Sequence, residues 1–297
     1  MIPPRHLVLS GGGIKVISIV GALRSLEEKG YMKQVKVVSG VSAGAWLAFM
    51  ISCGLGMKMI EKLVVDLEFG VVRNISPDAF IGFPETFGLD NGDNLKKFLE
   101  SIMRIVIKMD PAITFEGHSK NKIQFKCWAT DLNNRKIREF SVENTPSVKI
   151  IDALHASMAI PLYFTPVPDP ETGHLLSDGG IQGSLPIHHL TDEECAECLA
   201  IGFSRDKSFP EDGEVPEDLV GFMGSILDCL IHSRNESVIR KWSHKIMRIP
   251  VDTIQSWNFE ISREGRLNLV EQGRNSMVKW LNSPSHRSRQ INRRLSL

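Results

Sequence analysis

The architecture of this chain turns on Val35-Lys36-Val37-Val38-Ser39-Gly40-Val41-Ser42-Ala43-Gly44-Ala45-Trp46-Leu47-Ala48-Phe49-Met50. Its β-branched opening predicts a strand over 35–38, the small residues a tight turn, and Ala45–Cys53 an apolar helix. The 21 residues Val37–Met57 carry no charge and are long enough to span a bilayer. Gly40, Gly44, Gly54 and Gly56 punctuate the run, so strand, turn and buried helix is the better reading. Gly40-Val41-Ser42-Ala43-Gly44 fits Gly-x-Ser-x-Gly, a turn that holds a serine in a strained backbone above a sheet, at the positive end of a helix.

The flanking elements extend this unit into an α/β fold. Upstream, His6-Leu7-Val8-Leu9 reads as a short strand and Ser10-Gly11-Gly12-Gly13 as a turn. Ile14, Ile17, Val20, Leu23 and Leu26 then mark a helix that Gly30 closes. Strand, helix, strand, helix with short connections predicts a mainly parallel sheet in a three-layer α/β/α domain. Further helices are expected over Asn94–Lys108, Val148–Ala159, Leu219–Arg240 and Gly265–Leu281, and strands over Ile123–Ala129, Cys198–Phe203 and Ile246–Val251. Phe69 to Asn91, with Phe69, Phe80, Phe83 and Phe87 among Gly and Pro, predicts an irregular loop. It could serve as a lid, a membrane-touching surface, or simply as aromatics packed on the sheet.

Composition sets the outer limits. The chain has 297 residues, 42% of them hydrophobic and 24% charged, with 35 basic against 35 acidic side chains. Such a chain is globular and able to bury about three quarters of its surface without disulfides. Zero net charge argues against nucleic acid as a partner. Five scattered cysteines fit a reducing, cytoplasmic setting, and Met1–Arg5 lacks the apolar core of a signal peptide. Cys195 and Cys198 have no second pair with which to complete a zinc site, and a metal reading of His188, His189 and Glu193 is set aside. Six acids against two bases make Ser204–Asp218 an acidic loop. Arg287, Arg289, Arg293 and Arg294, with no acid, make 282–297 a basic tail, which is either simply solvated or drawn to anionic lipid. One domain over 1–281 is expected, with its motif-bearing core at about 6–203 and a helical part at 219–281.

A serine nucleophile needs a base and donors for the developing oxyanion. Gly11-Gly12-Gly13 offers unhindered N–H groups at the same sheet edge as Ser42. It fits neither a P-loop nor a dinucleotide fingerprint, whose third glycine would fall at Val16. Ser177-Asp178-Gly179-Gly180 presents an accessible aspartate on a turn. His188, His189, His232 and His244 all follow Asp178 and leave open a conventional Ser-Asp-His order.

These three motifs, in this order, resemble the patatin-like phospholipase family, with its Gly-Gly-Gly-x-Lys/Arg-Gly loop, Gly-x-Ser-x-Gly elbow and Asp-Gly-Gly/Ala aspartate. Gly88–Leu95, Ala129-Thr130-Asp131-Leu132, Ala156–Pro161 and Phe164–Val167 extend the likeness over about 6–203, and more weakly to 281. The resemblance implies a Ser42–Asp178 dyad without histidine. Gly11, Gly12 and Gly13 with Ala43 would form the oxyanion and substrate-binding loop, and Lys15 would take the family's basic position. Gly40, Gly44, Gly179 and Gly180 would shape the two turns. It further implies a lipid acyl hydrolase of the phospholipase A or lysophospholipase type, acting on phospholipid or other glycerolipid esters, transiently at a membrane surface, with no metal or cofactor. The family's usual glycine after Lys15 is Val16 here. That substitution supports an alternative, a catalytically weakened lipid-binding protein of the same fold.

Overall fold

The computed structural model describes residues 3–76, 78–204, 222, 241–251 and 259–283. The acidic loop from 205, the helix expected over Leu219–Arg240 apart from Phe222, and the basic tail beyond 283 lie outside the described residues.

In chain order, β1 (His6–Leu9) leads through a short 3-10 turn into α1 (Val16–Glu28), then β2 (Val37–Val41) and α2 (Ala43–Ser52). There follow α3 (Met57–Asp66), α4 (Ala79–Thr86), β3 (Gly88–Asp90), α5 (Asp93–Ser101), α6 (Phe115–His118), β4 (Gln124–Asp131) and β5 (Lys136–Phe140). Then come α7 (Ile150–Ser157), β6 (Leu162–Phe164), β7 (Val167–Pro168), β8 (Leu175–Asp178), α8 (Asp192–Glu197), β9 (Cys198–Ser204), β10 (Ile246–Pro250) and α9 (Arg263–Asn282).

The main sheet runs β10-β9-β1-β2-β4-β8-β7, with β5 also on β4. The five strands from β10 to β4 are mutually parallel, and β5, β8 and β7 add antiparallel pairings. The period-two alternation of strands sorts side chains to two faces. Leu7, Leu9, Leu199 and Ile201 join the larger core under α1, α2 and α9, while Val8, Cys198 and Ala200 join a smaller cluster with Leu185 and Ile187. This is the expected three-layer α/β/α arrangement, and the uncharged run from Val37 is strand, turn and buried helix. Among the described residues no helix is long and apolar enough to cross a membrane.

The helices pack closely enough to exclude a methyl group at one crossing. A Cβ on Gly21 of α1 would overlap the Val270 carbonyl, and one on Gly273 of α9 would overlap that of Ser18. The two glycines thus let α1 and α9 touch backbone to backbone.

Two expectations need correction. The segment 69–91 is not irregular throughout: it contains α4 and β3, despite Pro84 inside the helix. The helix expected to Lys108 ends as α5 at Ser101 and continues as a π-type turn over Ile102–Ile107, closed by Lys108 at φ 63°. The apolar spacing carries on through that widened turn, so periodicity does not reveal it.

Candidate active site

The register along β4 places Ser42 and Asp178. One edge of β4 carries β5 from Cys127 to Asp131. The other edge is shared: parallel β2 occupies Gln124 to Trp128, and antiparallel β8 occupies Ala129 to Asp131. The two strands therefore approach each other in one lane. β2 ends with Val41 opposite Trp128, and β8 ends with Asp178 opposite Ala129. The residues just past their meeting point are Ser42 and Gly179.

Both turns need glycine at the point of closest approach. A Cβ on Gly44 would meet the Ser10 carbonyl oxygen at 2.5 Å, and one on Gly179 would overlap the Trp128 carbonyl. Ser42 takes φ 55° and ψ −132°, a conformation that side chains rarely adopt. Its N–H donates to Ser157 Oγ at 2.9 Å, and that hydroxyl donates to the Trp128 carbonyl at 2.7 Å. Ser157 is fully buried at the end of α7. Ser157 falls within the Ala156–Pro161 motif, but its hydrogen bonds are a property of the fold, not of sequence spacing.

Ser42 is buried, and its side chain interacts with the Asp178 carboxyl group. Asp178 Oδ1 accepts the Gly180 N–H at 2.7 Å. Burial raises the Asp178 pKa to about 6, and the Ser42 side chain and the Gly180 N–H pull against that rise. The Asp178 backbone is pinned on both sides, its N–H to the Ala159 carbonyl at 2.8 Å and its C=O to Thr130 Oγ1 at 2.9 Å. A carboxylate held still beside a serine hydroxyl and titrating near neutrality can remove that hydroxyl's proton.

The glycine loop divides its N–H groups. That of Gly11 donates to the Ser184 carbonyl at 2.9 Å. Gly13 opens the 3-10 turn at φ 53°, Gly12 caps it, and Ala43 opens α2. The first N–H groups of a helix have no partner within it, which makes these positions suited to an anion. Gly12 also lies against Phe203, whose ring a Cβ would meet at 2.5 Å. Lys15 ends the turn partly buried.

The histidines sit differently from a base. The His188 ring nitrogens lie 2.8 Å from the Gln182 carbonyl and 3.2 Å from that of Leu185. His189 packs against Trp128 with its ring tilted, and burial there lowers its pKa to about 3. His232 lies outside the described residues, and His244 is in the turn before β10. Among the described residues no cluster of three or more metal-ligating side chains occurs.

Beside Ser42 opens a cavity of about 50 Å³, walled by apolar side chains that include Ile14, Val16, Trp46, Phe69, Phe98 and Phe164. Val16 has ordinary helical angles, φ −56° and ψ −24°, so its Cβ strains nothing in the loop. Its side chain is buried in the cavity wall instead.

The chain matches the family model of Patatin-like phospholipase over residues 7–191. It is 29% identical over 287 residues to "Uncharacterized protein R571" of Acanthamoeba polyphaga mimivirus, covering 93% of each chain. It is 28% identical over 186 residues to "Probable lipid hydrolase 463L" of Invertebrate iridescent virus 6, covering 62% of each. Its fold is similar to that of VipD from Legionella pneumophila, with a TM-score of 0.59 at 20% identity over 94% of this chain and 67% of that one. It is also similar to the type III effector ExoU, with a TM-score of 0.53 at 19% identity over 94% of this chain and 53% of that one.

Proposed function

We propose a lipid acyl hydrolase, because the chain belongs to the patatin-like phospholipase family and its Ser42–Asp178 pair has the parts that ester cleavage needs. The observation that carries this reading is a buried serine, strained at the turn between β2 and α2, beside a buried carboxyl group whose pKa is raised to about 6. The name "Probable lipid hydrolase" of the viral relative points the same way. The domain would run over 1–281, since β10 extends the sheet and α9 packs on α1.

In this mechanism Asp178 takes the Ser42 proton as Oγ attacks the ester carbonyl. The oxyanion that forms is held by the N–H groups of Ala43, Gly12 and Gly13, since that of Gly11 is already engaged. Collapse of the intermediate expels the alcohol, which retrieves the proton from Asp178. Water, deprotonated by the same carboxylate, then releases the fatty acid from Ser42. The apolar cavity beside Ser42 would take the acyl chain of a glycerolipid met at a membrane surface. No step calls for a metal or cofactor.

A Ser-Asp-His relay has less support. The His188 ring is turned to backbone carbonyls and His189 is held neutral against Trp128. The test is Ser42→Ala and, separately, Asp178→Asn, assayed on a short-chain ester. Loss of turnover by several orders of magnitude in both is expected, as for removal of any nucleophile or base. Wild-type-like turnover in either variant would overturn the dyad. Full loss in one of His188→Ala or His189→Ala would establish a histidine base.

A further inference from the structure

The helix α4 is rich in apolar side chains yet buries none of them. Phe80 and Phe87, just past its end, are half exposed, and Ile81 is 81% exposed. In water, such a cluster is a surface waiting for an apolar partner.

The position of α4 says what that partner is. On its N-terminal side the chain passes through Phe69 and Val72, both in the wall of the cavity beside Ser42. Val71, between them, is exposed. On its C-terminal side α4 runs into β3, whose partner strand β6 supplies Phe164 to the same cavity. The exposed apolar helix is therefore tied at both ends to the wall of the acyl cavity.

From this we propose that α4 is the membrane-docking surface of the enzyme, lying in the lipid interface with Phe80, Ile81 and Phe87 among the acyl chains. The proposal rests on the lipid-hydrolase reading above. At about 12 Å, eight residues of helix cannot cross a hydrocarbon core of about 30 Å, so α4 lies along the surface. The charge of the segment narrows the kind of surface. Residues 78–95 expose Asp78, Glu85 and Asp93, bury Asp90, and hold no lysine or arginine. Docking here is driven by apolar burial and suits a zwitterionic lipid surface, in contrast to the electrostatic attraction that a basic segment would supply.

The experiment pairs two variants, Ile81→Asp and Phe80→Ser, whose side chains lie outside the core and leave folding intact, as a melting curve verifies. Binding to phosphatidylcholine vesicles is measured by sedimentation in a Ser42→Ala background, so that no lipid is consumed. Turnover of a monomeric short-chain ester is measured with Ser42 present. Each variant should lose vesicle partitioning by at least about tenfold, the loss expected when one large apolar side chain no longer inserts. Ester turnover should stay within about twofold, the spread of a surface change remote from the chemistry. Binding by the otherwise unaltered chain should persist at about 1 M salt, where charges are screened beyond about 3 Å. Unchanged partitioning in both variants would overturn the proposal, as would binding abolished by salt. So would loss of self-association, without loss of vesicle binding, on Ile81→Asp, which would make α4 a contact between copies. Absence of ester turnover in the parent chain would instead overturn the hydrolase reading and leave the vesicle result standing.

Discussion

Ser157 receives the Ser42 N–H at 2.9 Å and gives its own proton to the Trp128 carbonyl at 2.7 Å. The bridge sits where β2 leaves β4 and β8 has not yet taken over, so one hydroxyl stands in for the ladder bonds missing from that gap. It also ties down the backbone N–H of Ser42 in its unfavourable conformation. Ser157→Ala strands a buried donor and a buried acceptor, at about 1–3 kcal/mol. A melting temperature lower by several degrees is expected, with kcat reduced and KM nearly unchanged, because the nucleophile and not the cavity is disturbed. A loss confined to KM would place Ser157 in substrate binding instead.

The strain at Ser42 itself is measurable. Glycine accepts φ 55°, ψ −132° freely, whereas alanine keeps the Cβ that makes it costly. Both Ser42→Gly and Ser42→Ala should abolish turnover. Ser42→Gly should nevertheless be the more stable of the two by about 1–3 kcal/mol, the usual size of such strain. Equal stabilities in denaturant titrations would show that the turn stores none.

Asp178 links activity and stability to pH in opposite senses. As a base with a pKa of about 6, it should make kcat/KM fall as pH drops through 6. For stability, its folded pKa lies above the ordinary value of 3.8, so the folded state binds the proton more tightly. Its contribution is most favourable below pH 4 and is lost as pH rises through 6, a difference on the order of 3 kcal/mol. Asp178→Asn should therefore stabilise the protein more at pH 8 than at pH 4. The whole-protein curve slopes the other way: burial lowers the pKa of His6, His118 and His155 to about 4 and that of His189 to about 3. Those four cost stability as pH falls below 6.5. Only the difference between wild type and Asp178→Asn, across a series of melts, isolates the aspartate.

Much of this was legible in the chain, and the misses have physical causes. The elbow at Ser42 and the glycine loop stand out because tight strand-to-helix turns demand small residues at fixed spacing. Asp178 stands out as a turn residue before two glycines. That it ends a strand running head-on at β2 was not readable, because Leu175–Asp178 is too short for alternation to show direction. Gly82 and Pro84 disguised α4, which forms although both residues disfavour helix.

The α1–α9 crossing was equally silent in sequence. Gly21 and Gly273 look like weak points in two helices, yet each faces the other helix's backbone carbonyl. Gly273→Ala should force the helices apart and destabilise the fold by at least about 2 kcal/mol, beyond the gain in helix propensity that alanine brings elsewhere. A stabilised Gly273→Ala protein would show that the contact is loose.

Val16 carries the last prediction. It departs from the family's glycine, the basis for expecting a weakened enzyme, but its backbone is ordinary and its side chain forms part of the cavity wall. The valine should therefore act on the acyl chain and not on the oxyanion. Val16→Gly removes three carbons from the wall and leaves room for roughly two further methylenes, each worth about 0.8 kcal/mol when buried. The ratio of kcat/KM for a longer over a shorter ester, two methylenes apart, should rise on the order of tenfold, while kcat on the shortest substrate barely changes. The glycine should also lower stability by about 1–3 kcal/mol through the space it opens. If the chain-length profile held and kcat alone rose on every ester, Val16 would be acting on the oxyanion loop after all.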